Sequence, residues 1–109
     1  MGKPTILIVD DEANIRSALI RWFEMREFEV FSHQFDVITL DLEMPRMGGL
    51  EALAGIRKTH PSTPVLVVTG FSKDVQRAVH AGALKVLTKP LRLRDLEDEV
   101  RGALALASG

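Results

Sequence analysis

Thr5-Ile6-Leu7-Ile8-Val9-Asp10-Asp11 is the stretch on which the fold turns. Five apolar or β-branched residues run without a break and stop abruptly at two carboxylates. Continuous rather than alternating apolarity is the pattern of a strand covered on both faces, as in the parallel sheets of α/β proteins. The period then changes. From Glu12 to Arg26, Ile15, Ala18, Leu19, Trp22 and Phe23 recur at the spacing of an amphipathic helix, with Arg16, Arg21 and Glu24 outside. Phe28-Glu29-Val30-Phe31 predicts a short strand, and Phe35 to Leu40 a second buried one that ends at Asp41. Met44-Pro45-Arg46-Met47-Gly48-Gly49 is turn material. Leu50, Leu53, Ala54 and Ile56 mark a helix ending near Thr59, just before Pro61. Val65 to Val68 is a third buried strand, closed by Thr69-Gly70. Ser72 is placed to cap the next helix, with Val75, Ala78 and Val79 inward and Gly82 as its stop. Ala83 to Thr88 is a weaker strand before Lys89-Pro90, and Asp95 to Ala107 a last helix with Leu96, Val100, Ala103, Leu104 and Ala107 on one side.

Strands alternating with helices imply an α/β fold around a mainly parallel sheet. The 109 residues suit one domain, and 46% hydrophobic with 27% charged residues suits a buried core. A net charge of −1 removes the compositional argument for direct nucleic-acid binding. Without cysteine there is no disulfide framework, thiolate metal site or cysteine nucleophile. No apolar run is long enough to span a bilayer, and Met1-Gly2-Lys3-Pro4 opens no secretory signal, so a cytoplasmic domain without membrane contact is expected.

Ligand sites in such sheets lie beyond the carboxyl ends of the strands. The residues there are Asp10 and Asp11, Asp41, Thr69, and Lys89. Three carboxylates on one edge would repel one another without a cation, and oxygen-only donors favour Mg²⁺ or another hard divalent ion. A lysine and a hydroxyl opposite them would suit the oxygens of a phosphoryl group. The set therefore fits phosphoryl transfer, with bound phosphate or with an aspartate nucleophile. Taken singly, an Asp ending a strand is more often a turn former or cap, Thr69 a loop cap and Lys89 a solvated cation. Their conjunction is what argues for chemistry. His33, His60 and His80 have no metal-ligand spacing and are read as surface or capping residues. Trp22 and Phe23 are read as packing the first helix onto the sheet.

Ile6-Leu7-Ile8-Val9-Asp10-Asp11-Glu12, Asp41-Leu42-Glu43-Met44-Pro45-Arg46-Met47-Gly48-Gly49-Leu50, Val68-Thr69-Gly70 and Leu87-Thr88-Lys89-Pro90 together resemble the receiver domain of bacterial response regulators. The resemblance covers nearly the whole chain, residues 1–109, with 107–109 as a linker stump. It implies a flavodoxin-like three-layer sandwich with a parallel sheet of order 2-1-3-4-5. It implies that Asp41 accepts a phosphoryl group from a sensor histidine kinase or phosphotransfer protein. Mg²⁺ would be held by Asp11, by Asp10 through water, by Asp41 and by the backbone carbonyl of Glu43. Lys89 would pair with the phosphoryl group across a cis bond to Pro90. Thr69 would move toward it, drawing the loop from Gly70 to Ser72 along. The chain departs from the family in having Val86 three positions before the lysine, where an aromatic residue often tracks activation. Glu43 adds an acid beside the acceptor, where the side chain influences phosphoryl lifetime. Phe71 is open to either exposure on an output face or burial.

Two rival functions remain at this point: a receiver-like dimerisation scaffold that needs no phosphorylation, and a small Mg²⁺-dependent aspartyl-phosphate phosphohydrolase. The latter would want a second acid two residues after the nucleophile, a place only Glu43 fills, and a substrate cap for which there is little length. The chain is also one helix short. Parallel strands at 28–31 and 35–40 leave only Ser32, His33 and Gln34 between them, reaching about 10 Å, where a crossover takes roughly a dozen residues. Either a segment is missing near 32–35, or the two halves exchange between copies in a homodimer, or the second strand is lost or displaced.

Overall fold

The computed structural model describes residues 2–10, 12–30, 35–43 and 48–108. Its elements are β1 (Thr5–Val9), α1 (Ala13–Met25), β2 (Glu29–Val30), β3 (Val37–Asp41), α2 (Gly49–Thr59), β4 (Val65–Thr69), α3 (Lys73–His80), β5 (Lys85–Thr88) and α4 (Leu93–Ser108). The five strands form one sheet of order β2-β1-β3-β4-β5, and every neighbouring pair is parallel. This is the order the resemblance implies.

Each face of the sheet carries its own core. On one, Ile6, Ile8, Leu66 and Leu87 pack with Leu19 and Phe23 of α1 and Leu96, Val100 and Ala103 of α4. On the other, Ile38, Leu40, Val65 and Val67 meet Leu53 of α2 and Ala78 of α3. β3, at the centre, is buried at all five positions. β1 differs from its expectation: burial alternates along it, with Ile6 and Ile8 covered and Thr5, Leu7 and Val9 only half-buried. Among the described residues no helix lies between β2 and β3, so the second face of β1 is incompletely roofed.

The second strand is in place and begins at Glu29, one residue later than expected. Ile6 of β1 pairs with Val30 on one side and Val37 on the other, and the edge is tied further by Glu29 N–H to Pro4 O at 2.9 Å and Asp36 N–H to Thr5 O at 3.0 Å. Val30 and Val37 are therefore two strand spacings apart, about 10 Å. Six residues, 31–36, separate Val30 from Val37, and six can reach about 20 Å. The second strand is thus neither lost nor displaced. A segment missing near 32–35 and an exchange of halves between copies both concern residues 31–34, which lie outside the described residues.

Three local expectations are corrected. The inward stripe of α1 is rotated: Leu19 and Phe23 are buried, Arg16, Ile20, Trp22 and Arg26 half-buried, and Ile15 and Ala18 exposed. Arg16 turns inward because its guanidinium donates to the Asp10 carbonyl at 2.8 Å. In α3 Val79 is exposed, and Ser72 stands at the N-cap without a side-chain cap hydrogen bond because its backbone is already helical, φ −61° and ψ −28°. Gly82 does end that helix, at φ +107°, the left-handed region glycine adopts without strain.

Candidate functional site

Four parallel strands deliver their carboxyl ends to one edge. Asp10 follows β1 directly, Asp41 ends β3, Thr69 ends β4, and Lys89 follows β5. Ladder bonds continue to the rim: Leu42 N–H donates to Val68 O at 3.0 Å and Lys89 N–H to Thr69 O at 2.9 Å. Asp10, Asp41 and Thr69 are all buried.

Lys89 reaches across from β5 and places Nζ 3.0 Å from Asp41 Oδ2 and 3.0 Å from Glu43 Oε2. The other Asp41 oxygen, Oδ1, accepts the Glu43 N–H at 2.9 Å. Asp10 Oδ1 accepts the Glu12 N–H at the same distance. Both aspartates thus form local turns with the residue two positions on, so the turn-former reading holds alongside the chemical one. These bonds also fix each carboxylate's orientation before any ligand arrives. Thr69 is brought to the edge with its hydroxyl accepting the Phe71 N–H at 3.1 Å, and Phe71 itself is exposed. The Lys89–Pro90 bond is cis. Asp11 lies outside the described residues.

The sequence points to Glu43 through its backbone carbonyl and as a bordering acid. The structure gives its side chain a larger part. One oxygen meets Lys89; the other accepts the backbone N–H of Gly70. Lys89 foremost, and the Gly70 N–H next, hold the Glu43 carboxyl below the usual range despite its partial burial. Burial pulls the Lys89 ammonium down, but its bonds to Glu43 and Asp41 outweigh that and raise it. Gly70 is the site member that sequence reasoning misses. Its contribution is a main-chain N–H, which no side-chain pattern encodes; its place directly after Thr69 at a strand end is the available signal.

The donor set fits a hard divalent ion. Asp10 and Asp41 are buried carboxylates at the ends of neighbouring strands, while among the described residues no three acids or histidines gather into a cage. Mg²⁺ typically takes one or two carboxylates and completes its shell with water and phosphate. A 570 Å³ cavity opens beside Asp10 and Asp41, walled by apolar Ile8, Leu19, Leu91 and Leu93. Low-polarity walls strengthen every charge interaction at its mouth. The described histidines stand elsewhere: His60 bonds with Thr59 Oγ1 at 2.8 Å, and His80 is exposed; His33 lies outside the described residues.

Residues 6–101 match the response regulator receiver domain, and the chain belongs to that family. It is a phosphorylatable signalling switch of the two-component type. The chain is 37% identical to the regulatory protein AtoC of Escherichia coli over 94% of its own length and 26% of AtoC. It is 31% identical to the transcriptional regulatory protein CpxR of the same organism over 91% of this chain and 48% of CpxR. It thus spans between about a quarter and a half of these relatives. Among solved structures, a receiver domain from Methanospirillum hungatei superposes with a TM-score of 0.91 at 25% identity, covering 98% of both chains. The response regulator TrrA from Thermotoga maritima, solved with Mg²⁺ and BeF, gives 0.79 at 27% identity, covering 92% of this chain and 98% of that one. Among the described residues no helix is long and apolar enough to cross a membrane.

Proposed function

We propose that residues 1–109 form one receiver domain in which Asp41 is the phospho-acceptor, and that the donor is a phosphohistidine on a sensor kinase or phosphotransfer protein. The observation that carries this reading is Lys89 Nζ held 3.0 Å from Asp41 Oδ2 at the carboxyl edge of the sheet. An Asp41 oxygen attacks phosphorus; the new P–O bond forms as the P–N bond to the donor imidazole breaks, and the imidazole departs with a proton. Asp41 is oriented for this by the Glu43 N–H, and Lys89 neutralises a phosphoryl oxygen as charge redistributes. Asp10, Asp11, Asp41 and the Glu43 carbonyl would hold Mg²⁺, which when bound offsets the negative charge shared by acceptor and phosphoryl group. Thr69, released from Phe71, would hydrogen-bond the phosphoryl group and shift the Gly70–Ser72 loop. Val86 is half-buried against the α2–α3 core, so the readout falls to this loop and exposed Phe71 rather than to an aromatic rotamer.

The self-modifying chemistry makes the domain a switch rather than a turnover enzyme, in the cytoplasm where its phosphodonors act. A second copy becomes a partner if halves exchange across 31–34 or if the domain works as a dimerisation scaffold. Incubation with acetyl phosphate and Mg²⁺ should add one phosphoryl group to the intact mass, and Asp41→Asn should abolish the addition. Steady hydrolysis of phosphate esters would support the phosphohydrolase instead, and an unchanged mass the phosphorylation-independent scaffold.

A further inference from the structure

We infer that the Glu43 side chain is a built-in occupant of the phosphoryl seat, a latch that must leave before Asp41 can keep a phosphoryl group. The inference rests on Asp41 as acceptor and concerns what stands next to it. A phosphoryl group on Asp41 needs donors for its peripheral oxygens. Two of the donors at this edge are the Lys89 ammonium, 3.0 Å from Asp41 Oδ2, and the main-chain N–H of Gly70, which follows Thr69. Both already serve the two oxygens of one carboxylate: Lys89 gives one N–H to Glu43 Oε2 at 3.0 Å, beside the one it gives to Asp41, and the single Gly70 N–H goes to Glu43 Oε1. A planar carboxylate with two acceptor oxygens thus presents to these donors much of what a phosphoryl group would.

The consequence joins three connections. Glu43 is on β3–α2, Gly70 on β4–α3 and Lys89 on β5–α4, so the latch ties together the loops that a phosphoryl group would reorganise. Phosphorylation exchanges one anion for another on the same donors, and the free energy of the Glu43 bonds is subtracted from the stability of the phosphorylated state. Reach is essential to the device. Asp at this position keeps the charge but is one methylene too short to bridge Lys89 and Gly70, whereas Gln keeps an acceptor for Gly70 and loses the charge that Lys89 meets.

Beryllofluoride binding in the presence of Mg²⁺, followed by calorimetry, separates the possibilities. Breaking a charge-assisted bond of this kind should tighten binding about tenfold in Glu43→Ala. Glu43→Gln should fall between Ala and wild type, and Glu43→Asp should tighten like Ala. In the unliganded protein the Gly70 amide proton should move upfield in Ala and Asp variants but stay near its wild-type position in Gln. Wild-type affinity in Glu43→Asp with tightening in Ala would show that through-space repulsion operates and overturn the latch. Equal affinity in all four proteins would overturn it too. If none binds beryllofluoride, Asp41 as acceptor fails and the latch falls with it; tight binding with no dependence on residue 43 sinks the latch alone.

Discussion

Gly49, the first residue of α2, lies against the end of β3 so closely that a Cβ there would sit 2.5 Å from the Leu42 carbonyl oxygen and 2.6 Å from Leu42 Cα. These are backbone atoms, so a side chain could be admitted only by moving α2 or the segment that carries Asp41 and Glu43. Gly49→Ala should therefore cost about 3 kcal/mol, the upper range for overpacking, read as a lower urea midpoint with an unchanged slope. Gly48→Ala should cost far less, because a Cβ there meets only the flexible Glu51 side chain, at 3.3 Å. The sequence identifies Gly48-Gly49 as turn residues but has no means of telling the indispensable glycine from the tolerant one. At the same scale, Asp41, Lys89, Thr69 and Asp10 are legible because each ends a buried run. The role of Glu43 is not, because it depends on a side chain reaching two other loops, Gly70 and Lys89, at long sequence separation.

Helix α1 shows where element-level reading succeeds and fails. Its existence and span follow from periodicity, but the periodicity puts the buried stripe one step off. Ile15 and Ala18 look apolar enough to face inward; Arg16 takes the inner position because it satisfies the Asp10 carbonyl, and Trp22 packs against the core while its Nε1 reaches α4. That contact is a polar clamp. Glu97 of α4 accepts from Trp22 Nε1 at 3.2 Å, pairs with Arg26 at 2.7 Å and with Arg101 at 2.9 Å, while Arg26 stacks 3.4 Å over the Trp22 ring. Burial raises the Glu97 pKa, but Arg101, Arg26 and Trp22 together outweigh it and hold the carboxyl below its ordinary value. A depressed folded-state pKa stabilises the fold above the unfolded value and loses that contribution as pH falls through the folded one. Glu97→Gln should thus lower stability by about 1 kcal/mol at neutral pH. The gap from wild type should hold steady down to about pH 5 and close below the ordinary carboxylate pKa of about 4.3, as measured by urea unfolding across pH.

At the scale of the whole molecule, the alternation of strand and helix is enough to give the parallel sheet, and the resemblance its order. The shortened crossover is also legible, as an arithmetic conflict between Phe31 and Phe35. Its resolution is not: β2 is described at Glu29 and Val30, and Leu7 and Val9 on the second face of β1 are only half-buried. Uneven roofing has a measurable consequence. Ile8→Ala, on the face under α1 and α4, should cost about 3 kcal/mol, whereas Leu7→Ala, half-buried one residue away on the other face, should cost about 1. Equal losses would mean that the second face of β1 is covered in solution. The same topology brings Asp10, Asp41, Thr69 and Lys89 to one rim, and on that rim the proposed phosphorylation of Asp41 depends.

The most direct test of that switch is to locate the phosphoryl group chemically. After treatment with acetyl phosphate and Mg²⁺, borohydride reduction converts an aspartyl phosphate to homoserine, and peptide mass spectrometry reads its position. Homoserine at position 41 and nowhere else is the predicted result. An unreduced Asp41, with the label on another residue or no label at all, would contradict it.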